Sequence, residues 1–349
     1  MKKNPFESSA VADLPECGDA PIIVEITRGL SVESKHYVHA VLSDSLGKIL
    51  GAWGKEDFVV FPRSSIKALQ ATAFVSLGVH EDLKLNSLEL AIACASHNGE
   101  KIHEDIVQEW LAKIGLNEGH LECGAHAPYD EKSYEHILRE GKKPCRIHNN
   151  CSGKHTGMLA GAQKLKQSTK NYSHYDHPYQ ERVKNILAEF YGFDLSSAPW
   201  GVDGCGIPTI AVSLKIMASG MARFADSRKL SSEIHSAAGV LREAIIAEPY
   251  MIGGLDSVCT EIITATKGAA LVKVGAEGVY GAAFPNLGLG LALKAVDGNS
   301  RATRVVLAHF IKKLQLRFES ENKNLEDYCR PILKNWAGEV IGEARLTKS

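Results

Sequence analysis

The stretch Ser64-Ser65-Ile66-Lys67, continued by Ala68, Leu69, Ala71, Phe74, Val75 and Leu77 and stopped by Gly78, sets a Ser-x-x-Lys pair at the start of an apolar helix. On such a turn the two polar side chains share a face. A serine hydroxyl is a weak nucleophile at neutral pH, and a lysine one turn away helps it only by giving up its own proton. Bringing a lysine from near 10.4 to about 7 takes roughly 4–5 kcal/mol of differential stabilisation, which burial and a second nearby cation supply together. The spacing alone is not specific. Ser45 with Lys48 and Ser320 with Lys323 also satisfy it, and a helix-capping serine beside a solvated lysine accounts for it equally well. Position separates the three: Ser45 lies in a turn, Ser320 follows a helix, and Ser64 stands after Pro62 at the entrance to a buried helix.

Two further elements join this one. Ser96-His97-Asn98 follows the apolar run Leu88 to Ala95, which Asn86 and Glu89 start as a capping box. Lys273-Val274-Gly275 closes the strand-like run Ala269 to Val274, whereas the similar Lys113-Ile114-Gly115 sits at a helix end. Singly, each has a plain explanation, a C-terminal cap for the first and an edge-strand lysine for the second. In chain order they resemble the Ser-x-x-Lys, Ser-x-Asn and Lys-x-Gly set of penicillin-recognising serine enzymes. Lys273 then supplies the second cation that Lys67 needs, with Ser96 placed to relay a proton between them.

Around these motifs the hydrophobic period changes twice. Residues of about 20–60 show short β-like runs, Ile22 to Ile26, Tyr37 to Leu42 and Ile49 to Trp53, with a turn at Asp44 to Lys48. From about 65 to 250 the spacing is helical, as in Ile102, Ile106, Trp110 and Ile114 before Gly115, and Val183, Ile186, Leu187 and Phe190 before Gly192. Strand-like runs return in Cys259 to Thr266, Ala269 to Val274, Gly278 to Phe284 and Leu287 to Val296. A helix follows from Ser300 to about Phe318, with a last strand near Val340. The expectation is one α+β domain over residues 1–349, an α/β/α sandwich of the serine β-lactamase and penicillin-binding-protein kind. Its antiparallel sheet comes from both chain ends, about 20–60 and 258–345, with the helical block inserted between.

Composition narrows the function classes. Lys+Arg 40 against Asp+Glu 41 gives a net charge of -1, which argues against a nucleic-acid or membrane-surface partner and for a small neutral or zwitterionic substrate. Met1 to Ser9 carries two lysines without an apolar region behind them, and no apolar run of spanning length follows, so the expected location is the cytoplasm. The eight cysteines are scattered, and in a reducing compartment they are expected to be thiols or ligands.

Longer stretches carry a closer resemblance: Phe61 to Lys67, Cys94 to Glu100, His148 to Gly157 (HNNCSGKHTG), Gly201 to Pro208 (GVDGCGIP) and Lys273 to Gly278 (KVGAEG). Over nearly the whole chain the sequence resembles the rhizobial-type L-asparaginases. The resemblance implies hydrolysis of L-asparagine to L-aspartate and ammonia through two Ser-Lys pairs, Ser64 with Lys67 and Ser96 with Lys273, without deciding which serine carries the acyl group. It also implies a homodimer and one zinc ion held by Cys151, Lys154 and Cys205. Two thiolates, a neutral amine and a water complete a tetrahedral zinc, although lysine is an uncommon ligand and buried thiols explain the two cysteines as well. A free amino acid needs both charged ends bound. Arg63 is the candidate for the α-carboxylate, Asp203 for the α-ammonium and His155 for a further polar contact, against the alternatives of a surface ion pair, a turn aspartate and a helix-starting histidine. Competing functions are a glutaminase or β-lactamase-like esterase on the same fold, and a non-catalytic zinc-binding relative.

Overall fold

A computed structural model describes residues 13–347, and Met1 to Ser9, on which the expectation about export draws, lie outside the described residues. At its centre is an eight-stranded antiparallel sheet. Its path runs Ile332–Lys334, Val340–Leu346, Ile22–Arg28, Ser31–Asp44, Leu289–Ala295, Val279–Phe284 and Leu271–Gly275, so the N-terminal strands sit between C-terminal ones within one layer. The long strand Ser31–Asp44 ties the halves together. One edge pairs first with Ile22–Arg28 and then with Ile49–Trp53, and the other edge takes Leu289–Ala295. The turn Asp44 to Lys48 is built by Asp44, whose Oδ1 accepts from the backbone N–H groups of Leu46 and Lys48, both at 2.9 Å.

Helices cover both faces. The helix Ser300–Lys313 packs on one, where Phe310 meets Trp53 edge to face at 4.9 Å. The helix Leu214–Ala225 lies on the other so closely that a β-carbon on Gly290 would stand 2.1 Å from Ala222 N. This explains why Val279–Phe284 is buried at every position, where a half-solvated strand would alternate. The expected α/β/α arrangement is thus the observed one.

Residues between these halves form the helical block. The helix Lys101–Lys113 buries His103, Ile106, Val107, Trp110 and Leu111 at helical spacing, and Pro178–Tyr191 starts on proline and ends at Gly192 in the left-handed region, φ 58°. Helix Ser152–Lys164 presents Gly153, Gly157 and Gly161 in a row. A β-carbon there would lie 2.5 Å from Ile92 O, 2.8 Å from the Phe74 ring and 2.4 Å from the Tyr179 ring respectively. Small residues therefore let three helices close around it.

Two expectations are corrected. Cys259 to Thr266 is not a strand but the helix Val258–Ala265, because Cys259, Ile262 and Ile263 bury one helical face and this packing overrides the β preference of the threonine- and isoleucine-rich segment. The sheet accordingly resumes at Leu271, not near 258. The C-terminal helix stops at Lys313, with Gln315 at φ 54° turning the chain before Phe318. Among the described residues no helix is long and apolar enough to cross a membrane, and all eight cysteines are free thiols.

Candidate active site

Pro62 opens a short 3-10 turn, Arg63–Ile66, which runs into the helix Lys67–Val75. The turn is closed by Ser65, whose N–H and hydroxyl both donate to Pro62 O at 3.2 and 2.6 Å. Arg63 sits at φ 53°, a left-handed conformation that costs a non-glycine residue energy and is held by its surroundings. The outcome is a partly exposed Ser64 and a Lys67 with no exposed surface, which disposes of the solvated-lysine alternative. Strand Leu271–Gly275 braces the turn from below. A β-carbon on Gly275 would lie 2.7 Å from Pro62 O, so the glycine of Lys-x-Gly is what lets the strand come this close.

Ser96 is where the two lysines converge. Lys67 Nζ donates to Ser96 Oγ at 2.9 Å, to Ala95 O and to Cys151 Sγ at 3.1 Å. Lys273 Nζ donates to the same Ser96 Oγ at 2.8 Å and to Val274 O at 3.0 Å. The pairing of Ser96 with Lys273 therefore has a direct hydrogen bond, whereas Ser64 is not among the hydrogen-bond partners of Lys67. Burial pushes the Lys273 ammonium down to about 8, with the charge of Lys67 adding to the effect and Cys259 opposing it.

Sequence reasoning missed the groups that hold Ser96 in place. Its N–H donates to Ile252 O at 3.0 Å. Asn98 Nδ2 donates to Leu255 O at 2.8 Å, and Glu100 accepts from Leu255 N at 2.8 Å and from the Tyr250 hydroxyl at 2.5 Å. His97, fully buried, accepts from Gly99 N at Nδ1 (3.1 Å), which leaves the proton on Nε2 to donate to Ser152 Oγ at 2.9 Å. Burial, with His103 adding, holds His97 neutral. These partners come from segments some 50 and 150 residues away along the chain, so no local spacing announces them.

Behind Lys67 lies the second cluster. Cys205 occupies the loop of a hairpin, Trp200–Val202 with Pro208–Ile210, and Lys154 reaches it from helix Ser152–Lys164, Nζ to Sγ 3.0 Å. A hydrogen bond from Cys151 and, against the cost of burial, the Lys154 charge hold the Cys205 thiol well below its usual range. The same bond and burial push Cys151 up to about 12, so Cys205 is the thiolate and Cys151 the thiol. Despite burial, the two sulfurs raise Lys154 and keep it an ammonium. Among the described residues no group of three or more His, Cys, Asp or Glu side chains is arranged to hold a metal ion. Cys151, Cys205 and Lys154 are the donors that would hold a zinc ion there, two sulfurs of the usual kind and one uncommon amine, once Cys151 and Lys154 lose their protons.

Arg63 Nε donates to Asp203 Oδ1 at 2.6 Å, joining the serine turn to the Cys205 hairpin. Although burial opposes it, Lys154 and Arg63 hold the Asp203 carboxyl below its usual value. His155 is fully buried, its Nδ1 against the Tyr172 hydroxyl at 2.7 Å, and burial lowers it to about 3. The structure thus links Lys273, Ser96, Lys67 and Cys151 in one chain of hydrogen bonds, pairs Lys154 with Cys205 and Arg63 with Asp203, leaves Ser64 beside Arg63 on the same turn, and sets His155 against Tyr172.

Mglu in its native form aligns with a TM-score of 0.35 at 14% identity, over 82% of this chain and 63% of that one, so the chain spans less than two thirds of that protein. The D-alanine carboxypeptidase AmpC from Burkholderia cenocepacia gives a TM-score of 0.37 at 10% identity, over 75% of this chain and 88% of its own. A β-lactamase from Mycobacterium bovis gives 0.37 at 13%, with the same coverage. No curated protein sequence matches. The L-asparaginase II family model, however, matches residues 24–346. Since that match takes in every motif residue of the site and nearly the whole of the chain, the chain belongs to the L-asparaginase II family.

Proposed function

We propose that the protein is an L-asparaginase that hydrolyses L-asparagine to L-aspartate and ammonia through a serine acyl-enzyme. The supporting observation is Ser96 Oγ bridging Lys67 and Lys273 at 2.9 and 2.8 Å. Ser64, partly exposed on its turn, attacks the side-chain carboxamide carbon. Its proton is taken up by the Lys67–Ser96–Lys273 relay, in which burial keeps Lys273 close to losing a proton at neutral pH. Returned along the same path, the proton leaves with ammonia as the C–N bond breaks. Water then cleaves the ester and frees aspartate.

Arg63 and Asp203 suit the substrate's charged ends. They neutralise each other at 2.6 Å in the free protein, and a zwitterionic amino acid exchanges that one ion pair for two, carboxylate on Arg63 and ammonium on Asp203. Zinc, in this proposal, is held by Cys151, Lys154 and Cys205 and supplies a fixed positive charge beside the pocket. The proposal extends to a cytoplasmic homodimer. The eight free thiols suit a reducing compartment, and light scattering tests the dimer.

Purified protein is expected to release ammonia from L-asparagine faster than from L-glutamine, and Ser64→Ala to abolish release with its circular dichroism unchanged. No release by the wild type, with or without added zinc, overturns the proposal. An acyl adduct mapped to Ser96 would move the nucleophile there.

A further inference from the structure

Lys154 and Cys205 meet at hydrogen-bond distance inside the protein. Nζ and Sγ are 3.0 Å apart, in residues only 3% and 5% exposed. Neither side is free to drift. Lys154 rides on a helix seated by its glycine face, and the Cys205 loop is closed by Asp203 N to Ile207 O and Gly206 N to Asp203 O, both 2.8 Å, and clamped by Arg63 on Asp203 at 2.6 Å. An amine and a sulfur are thereby held against each other, out of water, by two elements distant in sequence. A sulfur oxidised at such a site meets the neighbouring nitrogen before any other group, so the pair sets the product.

We propose that Lys154 and Cys205 form an oxidation site at which dioxygen joins Nζ to Sγ through one bridging oxygen. One thiolate, one ammonium and one dioxygen give one N–O–S bridge and one water. Sulfur and nitrogen each lose two electrons, one oxygen atom becomes the bridge, and the other leaves as water with two of the three ammonium protons. A single bridging atom nearly spans the observed separation, whereas a direct S–N bond requires the groups to close by more than an ångström. Cys151 also hydrogen-bonds Cys205, so a disulfide is the competing product, and its mass, two hydrogens lost with no oxygen gained, separates it from the bridge. The bridge ties up the same sulfur and nitrogen that a metal would use, so the two states exclude each other. It stands independently of the hydrolytic proposal.

To test it, full-length protein freed of metal by a chelator is divided, one half kept anaerobic with a phosphine reductant and the other equilibrated with air. Intact mass and peptide mapping follow. The aerated half is expected to gain one oxygen and lose two hydrogens per chain, on a crosslinked peptide containing Lys154 and Cys205, and excess thiol to reverse the change with release of water. Lys154→Met and Cys205→Ser are each expected to remove the crosslink, and either variant suffices should the other fail to fold. Unchanged mass in air, a Cys151–Cys205 disulfide, or oxygen confined to Cys205 without a crosslink would overturn the proposal.

Discussion

Replacing Lys273 by methionine removes an amine and keeps most of its stem. In the wild type the amine sits near 8 against 10.5 for a free lysine, chiefly through burial. At pH 7 about one molecule in ten therefore carries the neutral form, and at pH 6 about one in a hundred. If neutral Lys273 receives the proton relayed by Ser96, kcat/KM for asparagine rises about tenfold per pH unit up to 8 and then levels. In Lys273→Met this rising limb disappears and the rate falls by about 10²–10⁴. The same shift predicts a stability signature. Between pH 8 and 10.5 the unfolded chain holds a proton on this lysine that the folded chain does not, so the folded state gains stability as pH rises through that window. The gain approaches 1.4 kcal/mol per pH unit and totals roughly 3 kcal/mol, and the variant lacks it. Ammonia release across pH 6–9 and urea denaturation at pH 8 and 9.5, roughly the span over which the lysine titrates, measure both effects. A flat wild-type profile, or a variant that keeps the limb, would refute the relay.

Three further outcomes follow from the geometry. Gly275→Ala sets a β-carbon 2.7 Å from Pro62 O and is expected to cost about 1–3 kcal/mol, read as a lowered urea midpoint, with a loss of turnover larger than the loss of stability explains. Asn86→Ala removes the side chain that caps helix Ser87–Ala93, expected to cost about 0.5–2 kcal/mol and, because Ser96 follows that helix, to lower kcat with it. Cys151→Ala with Cys205→Ala is expected to eliminate stoichiometric zinc by elemental analysis, and full retention of the metal in that double variant would remove the site from these residues.

Much of this site was legible in the one-dimensional pattern because its parts sit at element boundaries. Ser64 follows a proline, Ser96 ends a capped helix and Lys273 closes a strand beside a glycine, and each boundary leaves a local mark. The helix Val258–Ala265 was misread since its isoleucines and threonines favour a strand locally, while the burial of Cys259, Ile262 and Ile263 that decides the matter is a long-range contact. His155 was misplaced for a related reason. A histidine beside a candidate ligand looks available in sequence, and only the packing of Tyr172 and its neighbours puts it behind the site.

The amino-acid order alone determined which residues are chemically equipped and that a sheet from both chain ends encloses a helical block, since periodicity and motif order are local properties. The tertiary structure decided how they pair: both lysines on Ser96, Lys67 against Cys151, Lys154 against Cys205 and Arg63 on Asp203. Such pairings depend on distances between segments 29 to 177 residues apart, and those distances exist only once the helices and strands have packed.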